Sequence, residues 1–255
     1  MHEVWTIARL SFLEGVRHRL HHGILIFVIL MLLAASALAS VTMGRTQMLL
    51  LDLGLGLLAL VLNLVAIVFT IQSVQQEKDN RTLYLILTRL DARAPYIWGK
   101  LLGVGMLLLA QAAAMGLALF ALARFFGPFF AASFWQAVFT SFLEAWVVAA
   151  VALVFAQASS FFLALVLTLG VDVAGRFVSV IAHLAERSDV WLVKGFAHLA
   201  LIALPHLEAI NLRDAAGYVP AYAWSLCAEA AGYALGAIMA WTMLAAWIFA
   251  RRNLA

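Results

Sequence analysis

Six transmembrane α-helices and no sheet are expected of this chain of 255 residues, on three counts. Its composition is 66% hydrophobic and 11% charged, whereas soluble domains sit at roughly half apolar and a quarter charged. The apolar residues are gathered into long charge-free runs, and a helix crossing a bilayer needs roughly 20 of them because no water is there to satisfy the backbone. Lysine and arginine flank those runs, so the net charge of +3 reads as topology rather than as a nucleic-acid surface. The lone cysteine, Cys227, excludes an internal disulfide.

In chain order, residues 3–21 come first. Trp5, Ala8, Phe12 and Val16 recur at helical spacing, with Glu3, Glu14 and Arg17 opposite and Arg9 blurring the pattern. Such a segment suits an interfacial helix lying on the membrane surface with its tryptophan at headgroup depth; the alternative is a cytosolic extension of the first span. That first span is Gly23 to Met43. Its Ala-Ser-Ala-Leu-Ala-Ser end offers small residues for signal cleavage, but the run exceeds a signal core of roughly 7–15 residues, so a retained helix is expected.

A polar turn, Gly44 to Gln47, leads to the second span, Met48 to Gln72. The hydrophilic stretch Ser73 to Tyr96 follows, then the third span, Ile97 to Leu122, and the Gly127-Pro128 break. The fourth span is Phe134 to Ala156 and the fifth Phe161 to Ile181. Trp191 to Leu204 is too short and interrupted for a crossing, which makes it a candidate outer re-entrant segment ended by Pro205. The sixth span, Trp224 to Ala250, closes at Arg251-Arg252. The whole of 1–255 is expected to form one transmembrane domain.

With the amino terminus inside, ten of the sixteen basic residues fall on inner segments (Arg9, Arg17, Arg19, Lys78, Arg81, Arg89, Arg93, Lys100, Arg251 and Arg252). The other six, Arg45, Arg124, Arg176, Arg187, Lys194 and Arg213, fall on outer ones. An excess of inside positive charge places both termini and the 73–96 loop in the cytoplasm.

That loop holds the most informative pattern. Leu83, Ile86, Leu87 and Leu90 make a narrow apolar stripe flanked by charges, as in a short amphipathic helix that docks into a groove on a soluble partner. Glu77, Thr82, Leu83, Leu87, Arg93, Gly99 and Lys100 resemble the permease subunits of ABC-2 type ATP-binding-cassette transporters, with Leu90 in place of the family's usual proline and Ala92 in place of serine. Glu14-Gly15-Val16-Arg17-His18-Arg19 is similar to the family's amino-terminal interface helix. Leu204-Pro205-His206-Leu207-Glu208 is similar to its outer Leu-Pro-Asn-x-Glu segment, with His206 where asparagine is commoner, and Arg251-Arg252-Asn253 to its ending. The resemblance covers the whole chain and is nearest the NosY-like permeases.

The resemblance implies a multi-pass protein of the bacterial inner membrane that pairs with a second permease subunit, as a homodimer. Two copies of a separate ATP-binding subunit, holding ATP and magnesium, would sit beneath, with an accessory or substrate-delivery protein as a further partner. It gives the coupling role to Glu77, Arg81, Thr82, Leu83, Ile86, Leu87 and Arg93, and the interfacial role to Trp5, Phe12, Glu14 and Arg17. The chain has no Gly-x-x-x-x-Gly-Lys-Ser/Thr phosphate loop, since its Gly99-Lys100 is followed by Leu101. No nucleotide, metal or other cofactor is expected on the chain itself, and no enzyme activity.

Asp52, Asn63, Gln111, Glu144, Asp172, Arg176 and Glu229 lie in or near apolar runs, where an ionisable group costs a few kcal/mol unless it has a partner, water or a role. Asp172 and Arg176, four apart, are expected to pair. Glu144 has no local partner; it either lines a translocation path together with Asn63 or pairs with another helix. Asp52 and Glu229 are placed near the outer headgroups. Gly99-x-x-x-Gly103 and Gly232-x-x-x-Gly236 permit close helix approach, within one subunit or between two. His183, His198 and His206, near Glu186, Asp189 and Glu208, match no compact ligand spacing, so no metal site is expected. Two other readings stand beside transport: a membrane scaffold recruiting a cytosolic partner, and an intramembrane enzyme acting on lipids through Glu144, Asp172 or the outer histidines.

Overall fold

The computed structural model describes residues 2–18, 20–41, 46–79, 94–187, 194, 195, 197, 201, 204–214 and 216–251. In order these form α1 (His2–His18), α2 (Leu20–Val41), α3 (Thr46–Asp79), α4 (Ala94–Phe126), α5 (Ala131–Ala158), α6 (Phe161–Arg176), α7 (Val178–Arg187), a 3-10 turn (Leu207–Ile210) and α8 (Trp224–Arg251). There is no strand among the described residues.

Four helices, α3, α4, α5 and α8, are long and apolar enough to cross a membrane. The shortest, of 28 residues, is about 42 Å long against a hydrocarbon layer of about 30 Å. They coincide with the second, third, fourth and sixth expected spans. The first and fifth are shorter: α2 carries an apolar stretch of Gly23–Leu38, and α6 has 16 residues, about 24 Å. α6 ends at Arg176, one residue before α7 begins at Val178, and its Gly175 abuts the Pro205 carbonyl and Leu207.

α5 is the centre. It packs on α3, α4, α6 and α8, and Val147–Val154 are all buried. Lipid supplies no hydrophobic force between helices, so close approach through small side chains takes its place. The indole of Trp146 lies over Gly105 and donates to the Leu101 carbonyl at 3.1 Å.

Small residues also join α1 to α4. A Cβ at Gly99 would stand 2.9 Å from the Val4 carbonyl oxygen, one at Gly103 would stand 2.6 Å from that of Ala8, and Gly15 meets Leu107. Contact recurs every three or four residues along α1 and every four along α4, so α1 runs beside the first turns of α4, in step with it, rather than across its end. The face that does this is Ala8, Ser11 and Gly15, all buried; Phe12 and Val16 are half-buried, and Trp5 is 61% exposed. The expected stripe of large apolar residues is thus turned partly outward, because only the small ones admit a neighbouring backbone. Gly99-x-x-x-Gly103 is an internal helix contact, whereas Gly232 and Gly236 face open space.

The end of the bundle holding α1, the close of α3 and the start of α4 is called the α1 end below, and the opposite one the far end. At the far end the 211–223 segment is sewn to α3 and α5. Ser133 donates to the Val219 carbonyl at 2.7 Å and accepts from the Gly217 amide at 3.0 Å; the Gln136 side chain donates to the Tyr222 carbonyl and accepts from its amide. Gly217 has φ +85°, a turn that a side chain would strain. The candidate re-entrant stretch 191–204 lies mostly outside the described residues. The part seen to fold back into the bundle is 204–214, which buries Leu207 and Ile210 in the core.

Candidate functional site

Two ion clusters organise the molecule. At the α1 end, Lys100 is wholly buried, with Nζ 2.6 Å from Glu77 Oε1 and 3.9 Å from Glu14 Oε2. Tyr96 donates its hydroxyl to the other Glu77 oxygen, and its ring stacks on Phe249 of α8. A lysine stem lies comfortably among apolar residues, but its ammonium has to meet an acid there. Three helices supply the set: Glu14 from α1, Glu77 from the end of α3, Tyr96 and Lys100 from the start of α4. Next to it, Gln75 donates to the carbonyls of Ala156 and Ser159, at 3.2 and 2.8 Å, and Lys78 to that of Ala156, so the end of α3 is also tied to the end of α5.

The second cluster lies midway along the bundle. Glu144, 1% exposed, sits near the middle of α5. Its Oε1 is 2.7 Å from Arg176 Nη2, and its Oε2 is 3.0 Å from Arg213 Nη1. The Asn63 amide of α3 donates to Glu144 Oε1 at 3.3 Å and to Asp172 Oδ1 at 3.2 Å. Asp172 and Arg176 do pair, at 3.6 Å, yet the shorter contact of Arg176 is to Glu144. Two acids and two bases make the set neutral, as a low-dielectric interior requires.

Of the residues singled out for coupling, Glu77 stands in the first cluster; Arg81, Thr82, Leu83, Ile86, Leu87 and Arg93 lie outside the described residues. Of the interfacial set, Glu14 reaches Lys100 and Phe12 packs against the core, while Trp5 and Arg17 face outward. Asn63 and Glu144 are in contact with each other, and Glu144 is paired across helices. The roles of Tyr96 and Arg213 were not anticipated from the sequence. Arg213 had counted only as an outer charge, although the excess of buried acids in apolar runs called for a compensating base.

The far-end polar groups are paired too. Asp52 accepts from the Tyr218 hydroxyl at 2.9 Å, and that hydroxyl also bonds the Met48 carbonyl at 3.1 Å. Burial first, then the hydrogen bond to Asp52 and its charge, push the Tyr218 phenol up to about 12. Glu229 is exposed. Glu208 accepts from Ser179. Among the described residues no group of three histidine, cysteine or acidic side chains could hold a metal ion; His198, Glu186 and Asp189 are not among the side chains described.

The arrangement is a helical membrane bundle with one joint at the α1 end and one neutral ionic knot at mid-depth. No family model matches the chain, and no curated protein sequence matches it.

Proposed function

We propose that the chain is the transmembrane permease subunit of an ABC-2 type ATP-binding-cassette transporter, moving a substrate, in the export direction, at the expense of ATP hydrolysed by a separate subunit. In this reading α2 and α6 complete six crossings, both termini lie in the cytoplasm of a bacterial inner-membrane protein, and two copies pair above two ATP-binding subunits that carry ATP and magnesium. A substrate-delivery protein is a further partner.

The observation that carries the reading is the Lys100 joint. The 80–93 segment, whose leucine stripe and Thr82-Leu83 pair resemble the family's coupling helix, leaves α3 just after Glu77 and returns just before Tyr96 and Lys100. Both roots of the segment are thereby bonded to each other and to Glu14 of α1. A push on 80–93 is delivered to α1, α3 and α4 together, which is what a membrane subunit driven from below requires. Rigid secondary elements joined by buried ion pairs transmit such a displacement; flexible tethers absorb it.

The test is co-purification with an ATP-binding-cassette ATPase encoded beside the chain. Replacing apolar anchors of a groove-bound helix with aspartate costs at least about tenfold in affinity. Leu83→Asp and Leu87→Asp are therefore expected to abolish association, or to remove the stimulation of ATPase activity by the assembled complex. Unchanged association and stimulation in both variants would overturn the coupling role. Association that depends on these leucines without any ATP-driven transport would favour the scaffold reading.

A further inference from the structure

Glu144 is served by two arginines of unlike construction. Arg176 belongs to α6 and is shared with Asp172, one helical turn before it. Its side chain is 35% exposed, so it keeps some water. Arg213 belongs to a loop. Its backbone N–H and its Nε both donate to Asn211 Oδ1, each at 2.9 Å, so its direction is set within its own segment and not by the bundle. Its approach to Glu144, through Nη1, is an ion contact without hydrogen-bond alignment.

Taking each base away in turn separates their roles. Without Arg213, Glu144 keeps the 2.7 Å contact to Arg176 and the Asn63 amide. Without Arg176, Glu144 and Asp172 would face each other through Asn63, and Asp172 would lose its cation. Arg176 touches both acids and can hold them together with the Asn63 amide, whereas Arg213 touches Glu144 alone and would leave Asp172 without a cation. The other polar ties of the segment to α3 and α5 include neutral groups and a tyrosine close to the far rim: the Phe130 amide, Ser133, Gln136, and Tyr218 on Asp52.

We propose that residues 204–214 and 216–222 form a plug over the far half of the bundle, and that Arg213–Glu144 is its releasable latch. Arg213 leaves with the loop while Arg176 stays on Glu144. The half of α5 so covered carries Ser133, Thr140 and Glu144 on one face, Thr140 and Glu144 seven and eleven residues after Ser133, and Thr140 is buried on that face between the two residues that touch the segment. This inference needs only the described bundle and holds whichever functional reading is correct.

The experiment is cysteine accessibility in membranes, on the full chain with Cys227→Ala. Thr140→Cys reports on the space beneath the plug, and Ser73→Cys, equally buried at the α1 end, reports on general loosening. A membrane-impermeant charged thiosulfonate is the probe. Opening that depends on the latch is expected to raise Thr140→Cys labelling about tenfold in Arg213→Gln, leave Ser73→Cys slow, and return to the parent rate in Arg213→Lys. Unchanged Thr140→Cys labelling in Arg213→Gln would overturn the latch. So would acceleration at both cysteines, which would make Arg213 a general support of the fold. Arg176→Gln supplies the contrast: it accelerates both cysteines or fails to accumulate, and selective opening at Thr140→Cys there would equally overturn the assignment of the two arginines.

Discussion

The two ion clusters are near mirror images: at the α1 end one buried base lies between two acids, and at mid-depth one buried acid lies between two bases. They differ in what surrounds the outer partners. Glu77 and Glu14 are 21% and 37% exposed, so the set at the α1 end can carry net negative charge by leaning on water. At mid-depth Asp172 is 12%, Arg213 14% and Arg176 35% exposed, and there the acids and bases are matched one for one. Burial thus sets the stoichiometry of charge. The first cluster can lie beside a segment that a partner moves; the second is balanced only while Arg213 is seated on Glu144.

The widest gap between the two should appear on removing each central group. Glu144→Leu strands Arg213 against an apolar side chain and leaves Arg176 with Asp172 alone, and breaking a buried pair from one side costs about 3–5 kcal/mol. Lys100→Met leaves two acids that can turn toward water, with Tyr96 still donating to one, and should cost about 1–3 kcal/mol. Unfolding of the detergent-solubilised variants measures both. A larger loss for Lys100→Met would mean that Glu77 and Glu14 do not gain hydration when the lysine is removed.

The two glycine pairs sharpen a second contrast, between a face that is used and one that is not. Gly103→Ala drives a methyl to within 2.6 Å of the Ala8 carbonyl, where overpacking costs about 1–3 kcal/mol. The variant should release α1 from α4, readable as faster proteolysis after Arg9 or Arg17. Gly236→Ala meets nothing within 4 Å and should change stability by less than about 1 kcal/mol. If Gly236→Ala instead weakens self-association of the chain without unfolding it, that open face is where a second copy sits.

These contrasts follow what was readable beforehand. The four long crossings stood out because charge-free runs are a local property of the chain. The break between α6 and α7 at Phe177 did not, since the apolar run continues through it. Helical periodicity placed Trp5, Ala8, Phe12 and Val16 on one membrane-facing side of α1, whereas the contact with α4 is built by Ala8, Ser11 and Gly15, small residues that hydropathy weighs lightly. Glu144 was visible as a charge that needed a partner. Both partners are distant in sequence, and Arg213 sits in a loop whose path is fixed only by tertiary contacts. The Asp172–Arg176 pair, being local, was legible in full.

The smallest expected effect belongs to the rim of the plug. Tyr218→Phe removes hydrogen bonds to Asp52 and to the Met48 carbonyl, both near the surface, and should cost at most about 1 kcal/mol near neutral pH. Its pH dependence carries the sharper test. The folded phenol is raised to about 12 from an unfolded value of about 10. The protonated form is therefore favoured by folding, and its contribution is fully present below about pH 10 and lost as pH rises through the folded value. The stability difference between the parent and Tyr218→Phe should hold level up to about pH 10 and then shrink toward pH 12, because only the parent must ionise a phenol facing the Asp52 carboxylate. A difference that stayed constant through that window would mean the hydroxyl does not face Asp52 when the bundle is folded.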